Sequence, residues 1–186
     1  PVQPPSETDV PKTGTLTVGQ PRLTKLVPAT GTTADELLSH AAAVQRGSEH
    51  PLARAVVAAA DARALPASAG AQNVHAVPGR GTEGTVGEAD WLIGSLRWMQ
   101  EIGVSLGTLA DQAAQLQAGG ATVSAVAKRS GGVLQLCGFL AFGDEPKVGA
   151  KEALQALRER GVRIVMISGD NRGAALAMAR RLGLRD

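Results

Sequence analysis

The stretch from Glu145 to Leu182 constrains the fold more than any other part of the chain. It reads as a helix to about Arg160, a stop at Gly161, the apolar strand VRIVMIS, and a second helix from about Arg172 to Leu182. Strands and helices alternating over short connections are the pattern of a parallel α/β unit. The preceding residues follow a different rule. QNVHAVPGRGTEGTVGEADWLIGS, residues 72 to 95, is glycine-rich with short alternating runs, the signature of antiparallel strands joined by tight turns. ATVSAVAKRSGGVLQLCGFLAF reads as two more strands around Ser130-Gly131-Gly132. The predicted fold is therefore an α+β domain, an antiparallel sheet flanked by helices, lying between two pieces of a different α/β domain.

The helices have recognisable starts. Thr33-Ala34-Asp35-Glu36 matches a capping box and opens an apolar-periodic helix to about Gln45. A second begins at His50-Pro51, where proline is tolerated because its missing N–H would be unpaired in any case, and runs through LARAVVAAADARAL. Short helices are predicted at about Leu96 to Glu101 and Leu106 to Gln117, and extended structure over Thr15 to Val27. PVQPPSETDVP holds four prolines and no periodicity, so residues 1–11 are predicted to be a flexible leader or linker and not a core strand.

With 186 residues the chain can bury a sizeable core. Lys plus Arg exceed Asp plus Glu by only 19 to 17, and two Trp, two Phe and no Tyr give no base-stacking platform, which argues against nucleic acid as a partner. Cys137 is the only cysteine, so an intrachain disulfide and a multi-cysteine metal site are excluded. It reads as a buried apolar filler. The apolar run Val133 to Phe142 is far short of the roughly 20 residues a membrane helix needs. His40, His75, Trp91 and Trp98 read as structural.

Four short motifs carry chemistry. KTGTLT, Lys12 to Thr17, is small and polar, with Gly14 permitting a turn and hydroxyls on Thr13, Thr15 and Thr17. SGDN, Ser168 to Asn171, follows an apolar strand and precedes a helix, which puts it at the carboxyl end of a strand, where open α/β sheets bind ligands. SEHPL, Ser48 to Leu52, sits at a helix start, and Gly79-Arg80-Gly81 lies in the glycine-rich region. Each alone has a bland reading as a strand–loop junction, a turn or a cap. Their order along one chain is more specific.

Together these motifs closely resemble the cytoplasmic catalytic unit of the P-type ATPases, in which a nucleotide-binding domain is inserted into a haloacid-dehalogenase-like phosphorylation domain. The resemblance covers residues 12 to 186. It implies residues 12–24 as the start of the phosphorylation domain, 25–137 as the nucleotide-binding domain and 138–186 as an incomplete second part. SEHP and G-x-G resemble the heavy-metal branch, copper or zinc transporters that work through an aspartyl phosphate. By that resemblance His50 orients the nucleotide's adenine and phosphates, and Gly79 and Gly81 let the backbone approach it closely. Glu49 falls within the same motif. Gln45 stands where a glutamate usually contacts adenine, and its amide oxygen can still accept a hydrogen bond. Ser95 stands where an asparagine is usual and reaches less far. Lys12, Thr13, Thr15, Ser168, Gly169 and Asp170 match positions that support the transferring phosphate, Ser168 replacing a threonine. Asp144 and Lys147 match the acidic and basic positions after the insertion closes.

One departure is chemical. The signature aspartate that attacks the γ-phosphate of Mg-ATP is replaced by Pro11, and Asp9, two residues upstream, is out of register. The apolar strand expected before that loop and the later G-D-G-x-N-D segment that holds Mg²⁺ are not recognisable either. The resemblance thus implies an ATP-binding, phosphorylation-incompetent cytoplasmic fragment of an integral membrane transporter, with Pro11 ending a replaced leader. ATP is the implied ligand, Mg²⁺ the parent's cofactor, and the transported ion is bound elsewhere. Two alternatives remain: a haloacid-dehalogenase-type phosphatase, which needs an acidic nucleophile, and a non-catalytic nucleotide sensor or docking module.

Overall fold

The computed structural model describes residues 7–11, 15–65, 70–167 and 172–184. They divide into two compact units, one formed by Arg22–Gln117 and Ala121–Gly143, the other by Pro1–Pro21, Ala118–Gly120 and Asp144–Asp186.

The first unit is built on a six-stranded antiparallel sheet. Its strands are β2 (Arg22–Pro28), β3 (Gln72–Val77), β4 (Gly81–Val86), β5 (Ala89–Ser95), β6 (Thr122–Ser130) and β7 (Val133–Gly143). They lie in the order β2-β7-β6-β5-β4-β3. Helices α1 (Ala34–Gln45), α2 (Pro51–Ala62), α3 (Leu96–Glu101) and α4 (Ala110–Ala118) accompany it, the last preceded by a 3₁₀ turn at Gly107–Leu109. Alternation along the strands sorts the core into two clusters. Trp91, Ile93, Leu140 and Phe142 join Leu37, Leu38 and Val56 of α1 and α2. Leu92, Phe139 and Ala141, one residue out of phase, join Trp98, Met99 and Ala113 of α3 and α4. Helices thus cover both faces, which is why the apolar run of β7 shows no alternation.

The helix starts are where the sequence puts them. Thr33 caps α1 with a full capping box: Glu36 N–H donates to Thr33 Oγ1 at 3.2 Å and Thr33 N–H donates to Glu36 Oε2 at 2.9 Å. Pro51 is the first residue of α2, after His50 as its cap. The β6–β7 hairpin turns at Gly131-Gly132, with Ser130 paired to Val133.

The second unit corrects three expectations. Glu7–Pro11 is a strand, β1, paired in parallel with β8 (Arg163–Ile167) from Glu7↔Arg163 to Pro11↔Ile167. The flexible-leader reading fails for these five residues: a neighbouring strand supplies the partner, and Val10 packs on the cluster of Leu16, Leu154, Met178 and Leu182. A strand this short needs no periodicity to be recruited, and proline is tolerated at a strand's edge or end. Second, the helix expected from Glu145, α5, begins only at Ala150. Residues 145–147 pair with the chain after the first motif instead: Val18 N–H donates to Glu145 O at 2.9 Å and Lys147 N–H to Leu16 O at 2.9 Å, around a Thr17–Pro146 bridge. Third, Thr15 to Pro21 is not continuous with a strand, and regular pairing starts at Arg22. The final helix, α6, spans Arg172–Arg181.

Candidate nucleotide site

Three of the residues singled out meet at the junction of α1 and α2. Gln45 is the last residue of α1 and is 8% exposed; its carbonyl accepts from Ser48 N–H at 2.9 Å. Ser48 Oγ accepts from His50 N–H at 3.2 Å, and His50 Nδ1 accepts from Leu52 N–H at 3.2 Å. The His50 ring therefore does the work a serine or aspartate does at other helix starts. The bond also settles the proton: with Nδ1 accepting, the neutral ring carries hydrogen on Nε2. His50 and Glu49 are exposed, and the cap leaves that N–H unused as a donor.

The other three meet at the β3–β4 turn and the end of β5. Arg80 N–H donates to Val77 O at 3.0 Å across Val77-Pro78-Gly79-Arg80. Pro78 at the second position and Gly79 at φ 68° at the third fit a type II turn, which demands a positive φ there. Gly81 is required for another reason. A Cβ on it would lie 2.0 Å from Ile93 O and 2.7 Å from Gly94 Cα, inside the paired strand β5. Its bareness admits a strand, a packing requirement that holds whether or not a ligand approaches the same backbone. Ser95 N–H donates to Arg80 O at 2.9 Å, and Ser95 Oγ caps α3 by accepting from Trp98 N–H at 3.2 Å. The Ser95 hydroxyl is thus partly committed, beyond being short.

Both groups belong to the first unit, and α1 packs across β4. A cavity of about 610 Å³ adjoins the α1 end, lined by Val44, Arg46, Gly47, Asp61 and Val74 among others. It is flanked by the neighbours of Gln45 and contains none of the six proposed nucleotide residues.

Of the phosphate-site residues, Thr15 is exposed, and Lys12, Thr13, Ser168, Gly169 and Asp170 lie outside the described residues. The strands leading to both motifs run parallel, with Pro11 beside Ile167 at their carboxyl ends, where α/β sheets place ligand-binding loops. Asp144 is half-buried, its Oδ1 accepting from Glu145 N–H at 3.0 Å and its carbonyl accepting from Arg181 at 2.9 Å.

The residues read as structural have structural neighbours. His40 stacks on Trp91 with ring centroids 4.0 Å apart, and its Nδ1 lies 2.8 Å from Glu36 O, a pure acceptor, so Nδ1 carries the hydrogen. Burial pushes the Cys137 thiol above its ordinary range, as suits an unreactive filler. Among the described residues no group of three His, Cys, Asp or Glu side chains could hold a metal ion, and no helix is long and apolar enough to cross a membrane. Sequence reasoning passed over Arg80, whose backbone joins the turn to β5. A basic residue between the two glycines was the available signal.

A family model for haloacid dehalogenase-like hydrolases matches residues 12–186. The chain is 38% identical over 173 residues to copper-transporting ATPase 2 of Rhizobium meliloti (strain 1021), covering 93% of this chain and 20% of that protein. It superposes on a zinc-transporting PIB-type ATPase in the E2.Pi state with a TM-score of 0.85 and 36% identity, over 97% of this chain and 28% of that one. The N-domain of a copper-transporting P-type ATPase matches 66% of this chain and 98% of its own length, with a TM-score of 0.54 and 26% identity. The chain therefore spans about a fifth of the curated relative. By the family match over nearly its whole length, this chain belongs to the haloacid dehalogenase-like hydrolases, and it is similar there to the catalytic region of heavy-metal P-type ATPases.

Proposed function

We propose that the chain is the ATP-binding cytoplasmic part of an ATP-driven heavy-metal transporter that works through an aspartyl phosphate. In this reading residues 25–137 are the nucleotide-binding domain, inserted between residues 12–24 and 138–186 of the phosphorylation domain; the compact unit that holds them is slightly wider, since β2 begins at Arg22 and β7 runs on to Gly143. The near-complete match of an isolated N-domain to two thirds of the chain supports this division. The cargo is copper, or zinc as the alternative, since the similar proteins are named for both.

The observation that carries the reading is the His50 ring. Its Nδ1 is spent on Leu52 N–H, which fixes the ring and leaves Nε2–H, on an exposed residue, as a donor that capping does not use. In this reading Nε2–H meets the nucleotide, the Gln45 amide oxygen accepts from the adenine amino group, and the turn at Gly79 brings backbone to the phosphates. Glu49 and Ser95 border the same ligand. Lys12, Thr13, Thr15, Ser168, Gly169 and Asp170 support the transferred phosphate in the parent reaction. Mg²⁺ there would neutralise charge on the nucleotide's phosphates.

Proline has no nucleophilic atom, so with Pro11 at the attacking position the chain binds ATP and is not phosphorylated. That same position gives the second reading, a non-catalytic nucleotide-sensing or docking module, its specific support. A titration with ATP followed by amide NMR should move His50, Gly79 and Gly81; shifts confined to other regions reject the site. Labelled ATP should leave no acid-stable phosphoprotein, and incorporation would refute the role assigned to Pro11.

A further inference from the structure

Arg80 is held from three directions. Its N–H donates to Val77 O, its carbonyl accepts from Ser95 N–H, and its guanidinium Nη1 lies 2.5 Å from Glu101 Oε2. The first two contacts fix the Cα between the glycines of the G-x-G turn. The third draws the side chain to α3, whose N-cap is Ser95. Glu101 is shared, because its Oε1 lies 3.1 Å from Arg97 Nε across one helical turn. One carboxylate thus serves two guanidiniums, and the group carries a surplus positive charge.

That charge remains accessible, with the Arg80 side chain 48% exposed and the Arg97 side chain 89% exposed. An isolated surface arginine would lose rotamer freedom on meeting an anion, whereas Arg80 has already lost it to its carboxylate and its turn. The opposite arrangement, two carboxylates on one arginine, would repel a phosphate; this one attracts it. A guanidinium suits the task because it presents paired N–H donors that match phosphate oxygens.

The geometry points to Arg80 as the residue that receives the phosphate tail of the bound nucleotide, with Glu101 as its positioning residue and Arg97 as the second positive charge. This rests on the nucleotide reading above and adds to it a discrimination by phosphate number. Adenosine has no phosphate and gains nothing from Arg80; AMP, ADP and ATP gain progressively.

The test is calorimetric titration of the wild-type chain and Arg80→Ala with adenosine, AMP, ADP and ATP, with Arg80→Lys as the conservative variant and a thermal melt as the fold control. In Arg80→Ala the ATP affinity should fall about fivefold while adenosine affinity holds, with partial rescue in Arg80→Lys. A purely structural role would weaken adenosine and ATP alike. Equal losses for the two ligands, or unchanged ATP affinity in a folded variant, overturn the inference while leaving the nucleotide site standing. Failure of the wild-type chain to bind any of the four ligands overturns both. Should Arg80→Ala not fold, Arg97→Ala on the exposed side of α3 reads the same charge: a smaller selective loss for ATP supports the assignment, and no difference between ATP and adenosine overturns it.

Discussion

At the α1–α2 junction His50 spends one ring nitrogen on capping α2 and leaves the other unused by the cap, whereas at the start of β4 Gly81 is required by close packing against β5. Both residues belong to motifs tied to a nucleotide site. A glycine pressed on a neighbouring backbone would be required with no ligand in existence, so its presence says more about the sheet than about ATP. A histidine cap is a different matter. Serine, aspartate and asparagine cap helices at least as well, and the imidazole brings a second nitrogen that capping does not use. Separating what a residue does for the fold from what it has left over locates the chemical signal on His50.

The largest expected effect tests the structural side. Gly81→Ala places a Cβ against the Ile93 carbonyl, and β4 must shift to accommodate it. The loss should be about 3 kcal/mol by urea denaturation, at the upper end for overpacking. A cost within about 0.5 kcal/mol would mean that β4 and β5 part easily, and the contrast with His50 would collapse.

At His50 the two contributions can be taken apart. His50→Asn keeps an acceptor for Leu52 N–H and removes the outer nitrogen; His50→Ala removes both. Stability should fall by about 1 kcal/mol for alanine and hold for asparagine. ATP affinity should fall about tenfold in both, read by NMR titration. Were asparagine to bind ATP as well as histidine does, the outer nitrogen would have no function and the reading of the ring would fail.

The parts legible in the sequence were those governed by local rules. Thr33 and Glu36 announced α1, His50-Pro51 announced α2, and Gly131-Gly132 announced a hairpin, because capping and turn chemistry act within four residues. The strand at Glu7–Pro11 was hidden because its partner, Arg163–Ile167, lies about 150 residues away and three prolines stand within the first ten residues. Pro146 bridging Thr17 is hidden likewise, which is why local sequence suggests a helix from Glu145 where α5 begins only at Ala150. In the site, the residue types were visible and their obligations were not. That Gly81 serves β5, that Ser95 caps α3 and that Arg80 shares a carboxylate with Arg97 all depend on strand register, which local sequence does not specify.

Gly79 sharpens the comparison from within the turn. Unlike Gly81, it has open space where a Cβ would go, and its only demand is φ 68°. Gly79→Ala should therefore cost about 1 kcal/mol through backbone strain alone, against about 3 for Gly81→Ala. Gly79→Asn should recover part of that cost, since asparagine tolerates the left-handed region. Equal costs at the two glycines would mean that crowding and conformation cannot be told apart here.

The smallest effect concerns the far end of the helix that carries Gln45. Glu36 Oε2 accepts from Thr33 N–H and from the Thr33 hydroxyl, and these bonds hold its carboxyl below the ordinary range, the backbone bond contributing most. The folded state thus prefers the ionised form more than the unfolded chain does. The capping box contributes in full above the unfolded value of about 4.3, and the contribution disappears as pH falls through the lower folded value. Glu36→Gln, whose amide oxygen still accepts but carries no charge, should melt slightly below the wild type at pH 7 and level with it near pH 3. The carboxylate is fully exposed, so the gap should be small and should shrink further with salt. A gap that persists unchanged at pH 3 would mean that shape and not charge holds the start of α1.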